Sequence, residues 1–280
     1  MTKKIKILGV KIDPLTDSEI DRRLHELLSK KSKSQIVTVN PEFVVLAQNN
    51  EEFKHALNQA SLRTADGIGI LVAGKFLDKA FSSLPIIKEL SALIYLKWLL
   101  FLAIFHQKSL NNSIPERITG VAISYKLIEL ANSLGLKVFL LGGGPSVAEK
   151  AALVLQTEFF DLKIAGTYGG SPAIDEEEKI IGLINKHKAD ILLVAYGAPK
   201  QDLWLQRNLR KTTAKIGIGI GGTLDFIAGD IKRAPKFFQN HGLEWFYRLI
   251  LEPRKRFRRQ LSLFRFLWLV FLEKCHQKKR

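Results

Sequence analysis

The stretch Thr64-Ala65-Asp66-Gly67-Ile68-Gly69 sets one carboxylate between an apolar approach and a glycine-rich exit. Asp66 can accept a proton or a hydrogen bond, and Gly67 and Gly69 let the backbone approach a ligand or turn at positive φ. A second polar stretch, Thr38-Val39-Asn40-Pro41-Glu42, follows the apolar run Ile36-Val37. Both read as strand-to-helix loops, where α/β proteins put ligand-contacting residues. The plainer alternative for an Asp before Gly is a turn or a helix cap. Three further glycine-rich turns hold Gly142-Gly143-Gly144, Gly197-Ala198-Pro199-Lys200-Gln201-Asp202 and Gly221-Gly222-Thr223-Leu224-Asp225. Backbone N–H groups and helix N-termini in such turns favour anions, so a phosphate or nucleotide ligand fits. Lys200 and Gln201 can hold diphosphate or sugar hydroxyls, although Pro199 and Asp202 also suit a plain helix start.

Other chemistry is excluded. Gly142-Gly143-Gly144 fails the dinucleotide fingerprint, because Val147 takes the third glycine position and no acidic residue ends the next strand. There is no P-loop and no Asp-x-Asp, and the six histidines show no paired spacing. Neither a metal site nor a cofactor is expected.

The elements that must position these residues alternate. A strand is predicted over 5–10, a helix over 17–29, a strand over 36–39, and helices over 42–48, 51–59 and 68–76. After Pro115 come a helix over 124–133 closed by Gly135, and strands over 137–141, 163–165, 191–195 and 215–220. Between them lie helices, among them 175–186 and 203–209. Such alternation predicts an α/β, Rossmann-like, mainly parallel sheet flanked by helices, with ligands at the strands' C-terminal ends.

Two segments fall outside this pattern. From about 78 to 113 the chain inserts an apolar stretch whose centre, Leu90 to Phe105, is charged only at Lys97. A spanning helix needs roughly 20 apolar residues, so this run is short and reads as a helix lying in or dipping into a bilayer surface. The tail is basic: residues 232–280 carry +11 of the chain's net +16. There, Arg254-Lys255-Arg256-Phe257-Arg258-Arg259 precedes the apolar run Leu261 to Leu272. A basic cluster beside Phe264, Phe266, Trp268 and Phe271 is the composition of a helix on anionic lipid, and the alternative is a helix packed on its own domain. At 280 residues, 46% apolar and 25% charged, the chain is globular. Its single cysteine, Cys275, excludes a disulfide framework, and no signal peptide is expected from the first residues.

Seven motifs in order carry a resemblance: Thr38-Val39-Asn40, Thr64-Ala65-Asp66-Gly67, Pro115-Glu116-Arg117-Ile118-Thr119-Gly120, Leu141-Gly142-Gly143, Gly197 to Asp202, Gly221 to Gly229, and Glu244-Trp245-Phe246-Tyr247-Arg248-Leu249. Together they resemble the WecG/TagA/CpsF bacterial glycosyltransferases (glycosyltransferase family 26). The resemblance implies transfer of a sugar from a UDP-sugar to an undecaprenyl-diphosphate-linked sugar at the cytoplasmic face of the bacterial cell membrane. In the best-known members the donor carries N-acetylmannosamine or its uronic acid, and the product feeds teichoic acid, enterobacterial common antigen or exopolysaccharide. It implies Asp66 as general base, with Thr38 and Asn40 in the same pocket. Arg117, Gly142, Gly143, Gly144, Gly197, Pro199, Lys200, Gln201, Gly222 and Asp225 complete the expected substrate-binding set. A C-terminal appendage adds Arg233, Arg248, Arg254 and Arg258 as diphosphate contacts.

The expected organisation is therefore a glycosyltransferase domain over 1–231, including the apolar insertion, and a basic, aromatic helical appendage over 232–280. The insertion departs from the resemblance, since the family usually joins the Asp66 helix to the Pro-Glu-Arg motif by a short link. The expected mechanism is a metal-free, inverting single displacement, with arginines and helix N-termini stabilising the departing UDP. A rival reading is a non-catalytic anionic-lipid- or nucleic-acid-binding protein. The tail's aromatics form an apolar face instead of interleaving with basic residues, so nucleic acid is not expected as a partner. A nucleotide-sugar-modifying enzyme would need the missing nicotinamide fingerprint. A homo-oligomer is left open.

Overall fold

The computed structural model describes residues 5–82, 84–110, 113–231, 234–235, 237–238, 244–251 and 253–276. The chain starts with an antiparallel hairpin, β1 (Ile5–Ile7) and β2 (Val10–Ile12). The single strand expected over 5–10 is split there because Leu8 and Gly9 both take positive φ, 49° and 79°, as a two-residue hairpin turn requires. Helix α1 (Asp17–Ser29) follows a capping box in which Thr16 and Glu19 satisfy each other's backbone N–H.

Six strands then form one parallel sheet: β3 (Ser34–Val39), β4 (Leu62–Ala65), β5 (Lys137–Gly142), β6 (Lys163–Tyr168), β7 (Ile191–Ala195) and β8 (Ile216–Gly219). Their spatial order is β4-β3-β8-β7-β5-β6. The connections are α2 (Pro41–Ala47), α3 (Glu51–Gln59), α4 (Ile68–Asp78), α5 (Pro85–Phe105), α6 (Gly120–Leu134), α7 (Val147–Glu158), α8 (Glu177–Lys186) and α9 (Lys200–Asn208). After β8 come α10 (Thr223–Ile227), α11 (Glu244–Leu251) and α12 (Pro253–His276).

Strict alternation along the strands divides the core between two faces. Ile36, Val138, Leu140, Ile191, Leu193, Ile216 and Ile218 pack with α1, α6 and α7. On the other face Val37 and Val39 meet α2, α3 and α4, while Phe139, Leu141, Leu192 and Val194 meet α8 and α9. Central strands covered on both sides explain why these runs are almost continuously apolar.

The insertion and the tail join the layer of α2, α3 and α4. Helix α5 buries Ala92, Leu96, Leu99, Leu102 and Ala103 on one face and exposes Ile86, Leu90, Ile94, Trp98 and Phe105 on the other. Helix α12 buries Phe266 and Val270 in the same cluster, yet leaves Leu261, Phe264 and Trp268 exposed. Its C-terminal end is tied down three times. Glu273 accepts from Leu8 N–H at 3.0 Å, Lys274 donates to Leu77 O at 2.6 Å, and Cys275 O accepts from Lys88 Nζ at 2.7 Å. The apolar run expected to lie in or dip into a bilayer surface is thus divided between core and surface, because residues three and four apart share one face of a helix and those between them face away. Among the described residues no helix is long and apolar enough to cross a membrane.

Candidate active site

A cleft of about 350 Å³ opens over the C-terminal ends of four neighbouring strands, β4, β3, β8 and β7. Each strand ends in a loop that starts a helix, so the helix N-termini of α2, α4 and α10 turn toward one space, and α6 adds its own. The positive ends of those helix dipoles make that space favourable for negative charge.

From β4, Asp66 enters the cleft half-buried. Its backbone is fixed by Asp66 N–H donating to Val39 O at 2.8 Å. Its Oδ2 accepts from Gly120 N–H at 3.1 Å, the first residue of α6. The segment leading to α6 runs along the edge of β4: Ile118 N–H donates to Ala65 O at 2.8 Å, and Thr64 Oγ1 donates to Ile118 O. Gly120 has to be small here. A Cβ would sit 3.3 Å from Thr38 Oγ1 and 3.7 Å from Asp66 Oδ2. Gly67 takes φ 91°, which turns the chain from β4 into α4 without strain.

From β3 come Thr38, 5% exposed, and Asn40, whose side chain caps α2 by accepting from Phe43 N–H at 3.0 Å. Asn40 thus serves as a helix cap and lines the cleft as well. Glu42, Thr119 and Thr223 also line it, and the sequence reading did not select them. Glu42 and Thr119 stand inside stretches already singled out, Glu42 in the first turn of α2 and Thr119 as the N-cap of α6, and that place was their signal.

The β7 and β8 loops are joined by Gln201. This residue is 2% exposed, and its Oε1 accepts from both Gly197 N–H and Gly221 N–H at 3.0 Å. A Cβ on Gly219 would lie 2.6 Å from Gln201 Nε2, so glycine there makes room for the amide. Gln201 therefore staples two loops through its side-chain oxygen.

Thr38, Asn40, Asp66, Arg117, Gly197, Gln201 and Gly222 are thus brought together. Gly142, Gly143 and Gly144 are not among the lining residues. They end β5, which lies one strand beyond β7 in the sheet. Gly142 instead allows close strand approach: a Cβ would sit 2.8 Å from the Ala195 carbonyl carbon. Pro199, Lys200 and Asp225 also lie outside the lining, with Lys200 exposed at the start of α9 and Asp225 beside Gly222. Arg233 lies outside the described residues, as do the side chains of Arg248, Arg254 and Arg258. What the tail does bring is Ser262 and Leu263 of α12, which close one side of the cleft. Among the described residues no group of three His, Cys, Asp or Glu side chains is placed to hold a metal ion.

Comparison with known proteins agrees with this layout in extent. The model of the glycosyl transferase WecG/TagA/CpsF family matches residues 5–92 and 102–280. Proteins from Staphylococcus aureus strains MRSA252 and NCTC 8325 / PS 47 are each 29% identical over 281 residues, covering 99% of this chain and 96% of theirs. Both are named N-acetylglucosaminyldiphosphoundecaprenol N-acetyl-beta-D-mannosaminyltransferase.

Proposed function

This chain belongs to the WecG/TagA/CpsF family of glycosyl transferases, and on that premise we propose that it moves an N-acetylmannosaminyl group from a UDP-sugar to a sugar on undecaprenyl diphosphate. The acceptor follows the name of the Staphylococcus aureus relatives, whose substrate is N-acetylglucosaminyldiphosphoundecaprenol. The observation that carries the chemistry is the Asp66 carboxylate, oriented by Gly120 N–H at 3.1 Å in a cleft where several helices begin.

In this reading Asp66 takes the proton from the acceptor hydroxyl as that oxygen attacks the anomeric carbon, with inversion. The bond from that carbon to the UDP oxygen breaks, and the leaving diphosphate carries the negative charge away. Helix N-termini and Arg117 stabilise that charge, a role that asks for no metal. Thr38 and Asn40 position the sugar beside the carboxylate. Arg233, Arg248, Arg254 and Arg258 add phosphate contacts from the tail, and the protein works peripherally on the cytoplasmic membrane face.

The test is Asp66→Asn in a transfer assay with UDP-N-acetylmannosamine and a lipid-linked N-acetylglucosamine diphosphate. Turnover should fall by about 10²–10⁴-fold, the usual worth of a positioned general base. Calorimetry should find UDP-sugar binding retained. Near-normal turnover in the variant would remove Asp66 from the mechanism, and loss of wild-type turnover on adding a chelator would remove the metal-free route.

A further inference from the structure

At the edge of the core, α5 meets α12 along a groove of about 270 Å³. Leu93, Leu96 and Leu100 line it from α5, and Phe264, Leu267 and Trp268 from α12. Among the described residues Lys97 supplies its one charge. The two helices run antiparallel, since Lys88 near the start of α5 donates to Cys275 O near the end of α12. The groove and the catalytic cleft share a helix. Ser262 and Leu263 wall the cleft, and the next residue, Phe264, begins the groove. From Leu263 to Phe271, which lines the groove's far end, the helix rises about 12 Å at 1.5 Å per residue.

The geometry points to this groove as the seat of the head-proximal part of the acceptor's polyprenyl chain. The inference rests on the proposed acceptor and names where its lipid goes. Two observations select that occupant. The groove shares α12 with the cleft, where the diphosphate-linked sugar must lie: Leu263 walls the cleft and Phe264 the groove. Its walls are apolar apart from Lys97, and the turns of α12 before Leu261 carry the run Arg254-Lys255-Arg256-Phe257-Arg258-Arg259. An anionic head joined to an apolar tail matches that order of charge and grease. The family model matches residues 5–92 and 102–280, and the gap falls on 93–101, the stretch that supplies Leu93, Leu96, Lys97 and Leu100. One wall of the subsite is therefore this chain's own, facing the wall that α12 supplies.

Two measurements on the full-length protein in detergent micelles test this. The first is photolabelling with a diazirine-bearing polyprenyl diphosphate, followed by peptide mapping. Adducts are expected on 93–101 and 264–271, suppressed by unlabelled polyprenyl diphosphate. Adducts elsewhere on the molecule overturn the proposal, whether or not the enzyme transfers sugar. The second compares kcat/KM for N-acetylglucosamine diphosphate carried on a polyprenyl chain and on a short, water-soluble alkyl chain. The wild type should favour the long chain by about tenfold or more, the ratio that 1.4 kcal/mol produces. In Leu93→Ser and Trp268→Ala, two exposed positions, that preference should shrink to about threefold or less with an unchanged melting temperature. An unaltered ratio overturns the proposal. Equal loss on both acceptors, or dissociation of a dimer with the ratio intact, does so too, since the groove would then serve the fold or a second copy. Labelling in the groove without transfer to either acceptor would sink the proposed reaction and leave the lipid site standing.

Discussion

At the scale of single residues, the cleft depends on groups whose hydrogen bonds are spoken for. Asp66 is steered by a backbone N–H, which cannot swing away as a side chain could. Next to Gln201, which staples two loops, sits a second carboxyl of different character. Asp202 is fully buried, and neither of its oxygens makes a hydrogen bond of normal geometry. Burial pushes its carboxyl up to about 7, with the Gln201 amide and its own N–H offsetting this only in part. The unfolded group ionises near 3.8. Between those values the folded chain keeps a proton that the unfolded chain has lost, so stability falls as pH rises from about 4 to about 7 and levels off above. At 1.36 kcal/mol per pH unit, the interval is worth at most about 4 kcal/mol. Urea unfolding of wild type and Asp202→Asn across pH 4 to 8 should show this slope in the wild type alone. An identical slope in both proteins would assign it to other groups.

At the scale of elements, Asp66 is only as well placed as β4. Arg63, three residues earlier and 3% exposed, gives Asp13 a bidentate ion pair, with Nη2 2.9 Å from Oδ2. Asp13 Oδ2 also accepts from Arg63 N–H, so the pair locks the segment after β2 onto β4. Removing one partner of such a buried pair leaves an uncompensated charge. Asp13→Ala should cost about 3–5 kcal/mol by chemical denaturation, and pairing Asp13→Leu with Arg63→Met should restore most of it. A single-variant cost below about 1 kcal/mol would show the pair to be marginal. The same scale explains what the sequence disclosed. Thr38, Asn40 and Asp66 were legible because each ends an apolar run before a helix signal, and strand C-termini carry sites in α/β folds. Gly142 to Gly144 carried the same signal and lie outside the cleft, because the order of strands across a sheet is not written in local pattern. The staple that Gln201 makes was not legible, because its two N–H partners lie in loops that only tertiary structure brings together.

At the scale of the whole molecule, the tail is both a structural and a surface element. Phe266 and Val270 complete the core around α2 and α4, and Gly69 makes that possible: a Cβ there would lie 2.8 Å from Pro41 Cγ and 3.3 Å from Leu263 Cδ1. That contact, which brings Ser262 and Leu263 to the cleft, could not be read from composition, since α12 and α4 are far apart in sequence. The charge asymmetry could, and it leads to a prediction about membranes. Residues 232–280 hold +11 of the net +16, while α5 and α12 expose Trp98, Phe101, Phe264 and Trp268. Aromatic and aliphatic side chains gain by entering the headgroup boundary, and each nearby Lys or Arg adds about 1 kcal/mol on an anionic surface. Replacing Arg254, Lys255, Arg256, Arg258 and Arg259 with Gln should therefore weaken binding to anionic vesicles by up to about 5 kcal/mol, between three and four orders of magnitude in the dissociation constant. Vesicle sedimentation over a range of salt should show a steep salt dependence in the wild type and a shallow one in the variant, because screening acts on exposed charge within about 10 Å at 0.1 M. Equal binding of both proteins to anionic vesicles would mean that the apolar face of α5 and α12 acts alone and that the basic run serves the diphosphate instead.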